Sequence, residues 1–186
     1  MHSSFQSVAR QLLSEGTVFA PVKVPGSNIW IMVTAKGAFD DSDYEVHEQT
    51  TSSGGGVCIM VEYKYKEIPV GSYLLCVAKK LVDDLGIDCG VFVLGHEYGH
   101  ALYKLYSVPQ GATLEENFKV ENTCDQVGVL VAGTEAGKKF IDFILEKLSG
   151  FETGALLSVP SEHQAEAKKQ VVMVMELMIL RRAAIS

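Results

Sequence analysis

Basic residues are scarce in this chain. Sixteen Lys and Arg stand against 23 Asp and Glu in 186 residues, for a formal net charge of −7. The only basic doublets are Lys79-Lys80, Lys138-Lys139, Lys168-Lys169 and Arg181-Arg182, which are scattered and read as solvated helix faces. With no cluster to neutralise phosphates, the expectation is no nucleic-acid partner. Long apolar runs are lacking too. The longest, VVMVMELMIL at 171–180, is interrupted by Glu176 and falls short of the roughly 20 residues a bilayer span needs. The expectation is no membrane partner, with this stretch a buried or subunit-facing helix. The opening MHSSFQSVARQLLSEG has no charged start followed by an apolar run, so no secretory leader is expected. Cysteine is sparse: Cys58, Cys76, Cys89 and Cys124 form no CxxC pair. Four scattered cysteines in an acidic chain point to reduced thiols and a cytoplasmic location.

What remains is globular in character, 47% hydrophobic and 21% charged, with length for one domain and a core of its own. Phe5, Val8, Leu12 and Leu13 share one side of a helix over 4–14. NIWIMVTAKG (28–37) reads as a strand. The acidic and glycine-rich 38–56 reads as a loop with a short strand near 44–47. VCIMVEYKYKEIPV (57–70) reads as a second strand, alternating in its later part. Ser72 then caps a helix to Leu85, and 90–106 forms the next helical segment. A helix over 113–132 has Thr113 at its cap and Glu116 three residues on. Two more follow, from Thr134 to Gly150 and from Ser161 onward. The expected fold is α+β in a single domain, 1–186: an N-terminal helix and small antiparallel or mixed sheet to residue 70, then a helical body from 71.

The chemistry concentrates in VFVLGHEYGHALYKLYS, residues 91–107. Residues four apart on a helix differ by about 40° net, so His96 and His100 project from one face. Two imidazoles so placed can share a zinc ion. Glu97, rotated by about 100°, is poorly placed as a ligand but can reach a zinc-bound water. H-E-x-x-H has that division of labour, two ligands and one general base. A shuffle of this composition would contain the motif in about one sequence in a hundred, which favours chemistry over two stray core histidines. Gly95 and Gly99 flank the histidines and are poor helix formers, tolerable where another element must approach closely. A catalytic zinc wants a third protein ligand. A metzincin-type third histidine is absent after His100, while Glu115, Glu116, Glu121 and the distant His163 are available downstream.

HEYGH followed by ENTCD (121–125) resembles the gluzincin metallopeptidases, the thermolysin-like clan, whose signature is H-E-x-x-H with E-x-x-x-D on a second helix. The resemblance covers about residues 90–130. It implies His96, His100 and Glu121 as zinc ligands, Glu97 as general base, and Asp125 as partner of a ligating histidine. A carboxylate on the far ring nitrogen fixes the tautomer and raises ligand basicity. The function implied is hydrolysis of peptide bonds in a protein or peptide substrate, laid beside the sheet as an added strand at 57–70. The candidate donors for a developing oxyanion are His163, Tyr103, Tyr106 and Tyr73. The competing class is a non-catalytic structural or assembly protein, viral among others, that retains a zincin-like core. In that case the C-terminal helix would serve as a homo-oligomer interface.

Overall fold

The computed structural model describes residues 2–35, 41–52, 54–105, 112–154 and 164–185. Its elements run α1 (His2–Glu15), β1 (Val22–Lys23), β2 (Ile29–Thr34), α2 (Asp41–Ser52), β3 (Gly56–Met60), β4 (Tyr73–Ala78), α3 (Lys79–Leu85), α4 (Ile87–Tyr103), α5 (Leu114–Ala132), α6 (Thr134–Gly154) and α7 (Gln164–Ala184). A small mixed sheet near the N-terminus precedes a helical body, so the fold is α+β.

The sheet order is β1-β2-β4-β3, with β2 parallel to β4 and the outer strands antiparallel. The central strands IWIMVT and YLLCVA are apolar on both faces because both faces are covered. Ile31, Val33, Leu75 and Val77 join the main core under the helices. Trp30, Met32, Leu74 and Cys76 join a second cluster, with Val46 of α2 and Val61 and Ile68.

Three expectations are corrected here. The helix from Ser72 to Leu85 is instead strand β4 followed by α3. YLLCVA satisfies helical spacing and a doubly buried strand equally well, and the sheet needed a central partner for β2. The acidic 38–56 stretch contains α2 rather than a short strand. Its buried positions include Asp43 and Thr50 beside Val46, so the inward stripe is largely polar and the helical period is masked. Thr50 donates to the Val46 carbonyl, and Asp43 pairs with Lys66 and Tyr65. The 57–70 strand ends at Met60. Beyond it the chain turns back at Gly71, which donates to the Val61 carbonyl, and Tyr63 is left in solvent. Smaller differences are at helix ends: α4 starts at Ile87, and α6 passes Gly150 to reach Gly154. The capping box at Thr113 and Glu116 forms as expected. Ser161 lies outside the described residues.

Helix α4 is the hub. Most of its residues are buried, and it touches α1, α3, α5, α6, β3 and β4. Its closest neighbour is α5, and glycine sets that approach. A Cβ on Gly99 would sit 2.8 Å from the Cys124 Cα, and one on Gly95 would sit 2.9 Å from the Gly128 Cα and 2.3 Å from Val131 Cγ2. The close approach anticipated at these glycines is made by a helix. Alanine would gain about 1 kcal/mol of helix propensity. Against backbone that cannot move aside, overpacking costs about 1–3 kcal/mol and wins. Gly99→Ala should therefore lower the thermal midpoint by several degrees; an unchanged or raised midpoint in calorimetry would contradict the packing described.

Candidate metal centre

The α4–α5 contact brings together residues far apart in sequence. His96 and His100 lie on the α4 face turned to α5, where Glu121 and Asp125 stand one turn apart. The two Nε2 atoms are 3.1 Å apart. Glu121 Oε2 is 3.4 Å from His96 Nε2, and Oε1 is 3.9 Å from His100 Nε2. One ligand atom from each of His96, His100 and Glu121 falls within 4.8 Å of the others, so this group could hold a metal ion.

The far sides of the rings decide what occupies the centre. His96 Nδ1 is 2.8 Å from Asp125 Oδ1, and His100 Nδ1 is 2.5 Å from the Leu105 carbonyl oxygen. Both partners only accept, so both Nδ1 atoms carry hydrogen and donate. Each ring then turns Nε2, a lone pair in neutral imidazole, toward the other and toward a carboxylate. Such a set is repulsive unless a cation lies among the atoms. A tetrahedral ion with bonds of about 2.0–2.1 Å would hold its two nitrogens about 3.3 Å apart, near the spacing found. The donor set thus fits a metal, and in its absence one proton serves. Burial pulls the His96 imidazole down, but its hydrogen bonds to Asp125 and Glu121 outweigh that and hold it up at about 10. Burial and the neighbouring His96 both lower His100. Glu121 is held down at about 2, with burial opposing and the His96 hydrogen bond prevailing.

Asp125 is fully buried, and it is clamped by a residue the sequence reading missed. Arg181 of α7 donates Nε–H to Asp125 Oδ2 at 2.7 Å and Nη2–H to Oδ1 at 2.8 Å. Its Nη1 is also 3.0 Å from Glu121 Oε2. Burial raises the Asp125 carboxyl, but the Arg181 and His96 hydrogen bonds hold it down at about 2. Arg181 is 4% exposed, which corrects the reading of its doublet as a solvated face. Arg182 beside it fits that reading better and pairs with Asp142 near the surface. A signal was present: Arg181 follows Leu177 by four and Met178 by three, which puts a cation on the inward stripe of α7. The remainder of α7 is only partly covered, since Val172, Met173, Ile179 and Leu180 are 39–56% exposed.

Glu97 is 8% exposed and has no hydrogen-bond partner among the described residues. Burial pushes its carboxyl up to about 7, against the pull of His96. It faces a cavity of about 350 Å³ shared with His96, Glu121 and Arg181. Apolar walls come from Val93, Phe140, Ile144, Val174, Leu177 and Met178, and Gly54 and Gly56 lie on the sheet side. Gly56 passes so close that a Cβ there would lie 2.9 Å from Glu97 Oε1 and 2.4 Å from Val93 Cγ1.

Two of the candidate tyrosines are elsewhere. Tyr103, in the last turn of α4, is 57% exposed, and Tyr73 borders a different cavity with Tyr98 and Lys104. Tyr106 and His163 lie outside the described residues.

Fold and centre together define an α+β protein with a two-histidine, one-carboxylate group able to take a metal. Compared with family models, curated proteins and solved structures, the chain matches none of them.

One divalent ion should bind per chain. At about a hundredfold excess over its dissociation constant it should stabilise the fold by about 2.7 kcal/mol. His96→Ala and Glu121→Ala should each abolish this thermal shift; retention of the stoichiometry in either variant would contradict the centre.

Proposed function

We propose that the chain is a zinc-dependent metallopeptidase of minimal gluzincin type, acting on peptide bonds of a protein or peptide substrate. His96, His100 and Glu121 would hold the metal. When bound, zinc would supply Lewis acidity, polarising a carbonyl and bringing the pKa of water to about 7.

The observation that carries the reading is Glu97. A buried carboxylate with no hydrogen-bond donor is costly and asks for a reason. Here it opens on the cavity that also holds His96 and Glu121. That placement suits a general base, which must stand within reach of the proton it takes. Glu97 accepts a proton from the attacking water and passes it to the leaving amine. The apolar walls of Phe140, Ile144 and Leu177 would lower the local dielectric around that transfer.

Strand β3 supports a peptide substrate. It is an edge strand of the sheet. Ala78 donates to the Gly55 carbonyl and Val61 to the Ser72 carbonyl, so the odd-numbered residues face β4. Antiparallel alternation then points the backbone groups of Gly56, Cys58 and Met60 at the outer edge. An extended peptide can pair there. His163 and Tyr106 remain the donors proposed for the developing oxyanion.

The competing reading, a non-catalytic structural or assembly protein, draws on the exposed apolar residues of α7 named above, which would suit a partner or a second copy.

Two substitutions separate these readings. Glu97→Gln should keep zinc at wild-type stoichiometry and lose cleavage of a peptide library by at least about a hundredfold. Cleavage surviving in Glu97→Gln, or wild-type chain that binds zinc yet cuts nothing, would remove the peptidase assignment. Gly56→Ala should displace Glu97 and lower turnover with zinc binding intact; wild-type turnover in that variant would argue against Glu97 as the base.

A further inference from the structure

Arg181 is the only arginine or lysine lining the cavity, among the described residues. Its guanidinium touches two carboxylates of α5, taking both oxygens of Asp125 and Oε2 of Glu121. The two carboxylates have different duties. Glu121 faces the Nε2 side of the histidines, and Asp125 faces the Nδ1 side of His96. A single rigid fork therefore sets the angle of a metal ligand and of the group that orients another ligand. The fork comes from α7, 56 residues beyond Asp125 in sequence.

Resting on the metal-site part of the reading above, we infer that Arg181 is a positioning residue that completes the metal centre by fixing Glu121 and Asp125 together, so that the centre depends on the docking of the C-terminal helix. Two features favour this role over simple charge neutralisation. The pairing is bidentate, a geometry lysine cannot reproduce. The site is also already asymmetric: His100 has the Leu105 backbone carbonyl behind it, fixed by its own helix end, whereas His96 depends on a side chain that must itself be held. Groups behind metal ligands are worth about 10–100-fold in metal affinity.

The test is a zinc titration by calorimetry on the full chain with Arg181→Met, Arg181→Lys and the neighbouring Arg182→Met. Arg181→Met should weaken zinc binding by about 10–100-fold, Arg181→Lys by less but measurably, and Arg182→Met not at all. Circular dichroism identifies variants that stay folded, and if Arg181→Met does not, Arg181→Lys decides. Wild-type affinity in a folded Arg181 variant, or an equal loss in Arg182→Met, overturns the inference. A second readout needs no metal. The His96 Nδ1–H proton, held on Asp125, should give a protected low-field NMR signal in the wild type. That signal should be lost in the folded Arg181 variants, and its persistence in them would also overturn the inference. Failure of the wild type to bind zinc would instead overturn the metallopeptidase reading, while the proton signal still reports on Arg181.

Discussion

Everything at the centre follows from the near-contact of two helix backbones. Gly95 and Gly99 of α4 meet Gly128 and Cys124 of α5 with no room for a Cβ. Larger residues there would move α5 outward. Glu121 is already 3.4 and 3.9 Å from the two imidazole nitrogens, and a further ångström or two would take it out of reach of any shared ion. The glycines reduce helix propensity on a helix buried on nearly every side, where tertiary packing outweighs propensity. That cost is small beside the three ligand atoms it brings together.

The second constraint is charge. Glu121, Asp125, Glu97 and Arg181 are all largely withdrawn from water around two histidines. Two carboxylates are held near 2 and one is pushed up to about 7. Those paired with Arg181 and His96 are stabilised in the ionised form; Glu97, which hydrogen-bonds to neither, is pushed up by burial. Environment makes the distinction, since all three are ordinary carboxylates in the unfolded chain.

The helical body was more legible than the sheet. The HEYGH spacing placed two imidazoles on one face, and E-x-x-x-D placed Glu121 and Asp125 together, because helical periodicity converts spacing directly into proximity. The Thr113 and Glu116 capping box located the start of α5. YLLCVA was ambiguous, since a doubly buried strand carries no period of two and can match a helix by chance. Helix α2 was hidden because Asp43 and Thr50 occupy its inward positions, a choice that makes sense only once Lys66 and Tyr65 are known to lie against it. Arg181 was missed for a similar reason. Its partners sit on another helix, and only the break in the apolar stripe of α7 hinted at burial.

The central claim is that the two Nε2 atoms and the Glu121 carboxylate converge on one cation. X-ray absorption at the zinc edge of the loaded chain measures this most directly. The account predicts nitrogen and oxygen ligands at about 2.0–2.2 Å, with two imidazoles in the shell and no sulfur. A sulfur shell at about 2.3 Å, or a single imidazole, would contradict it.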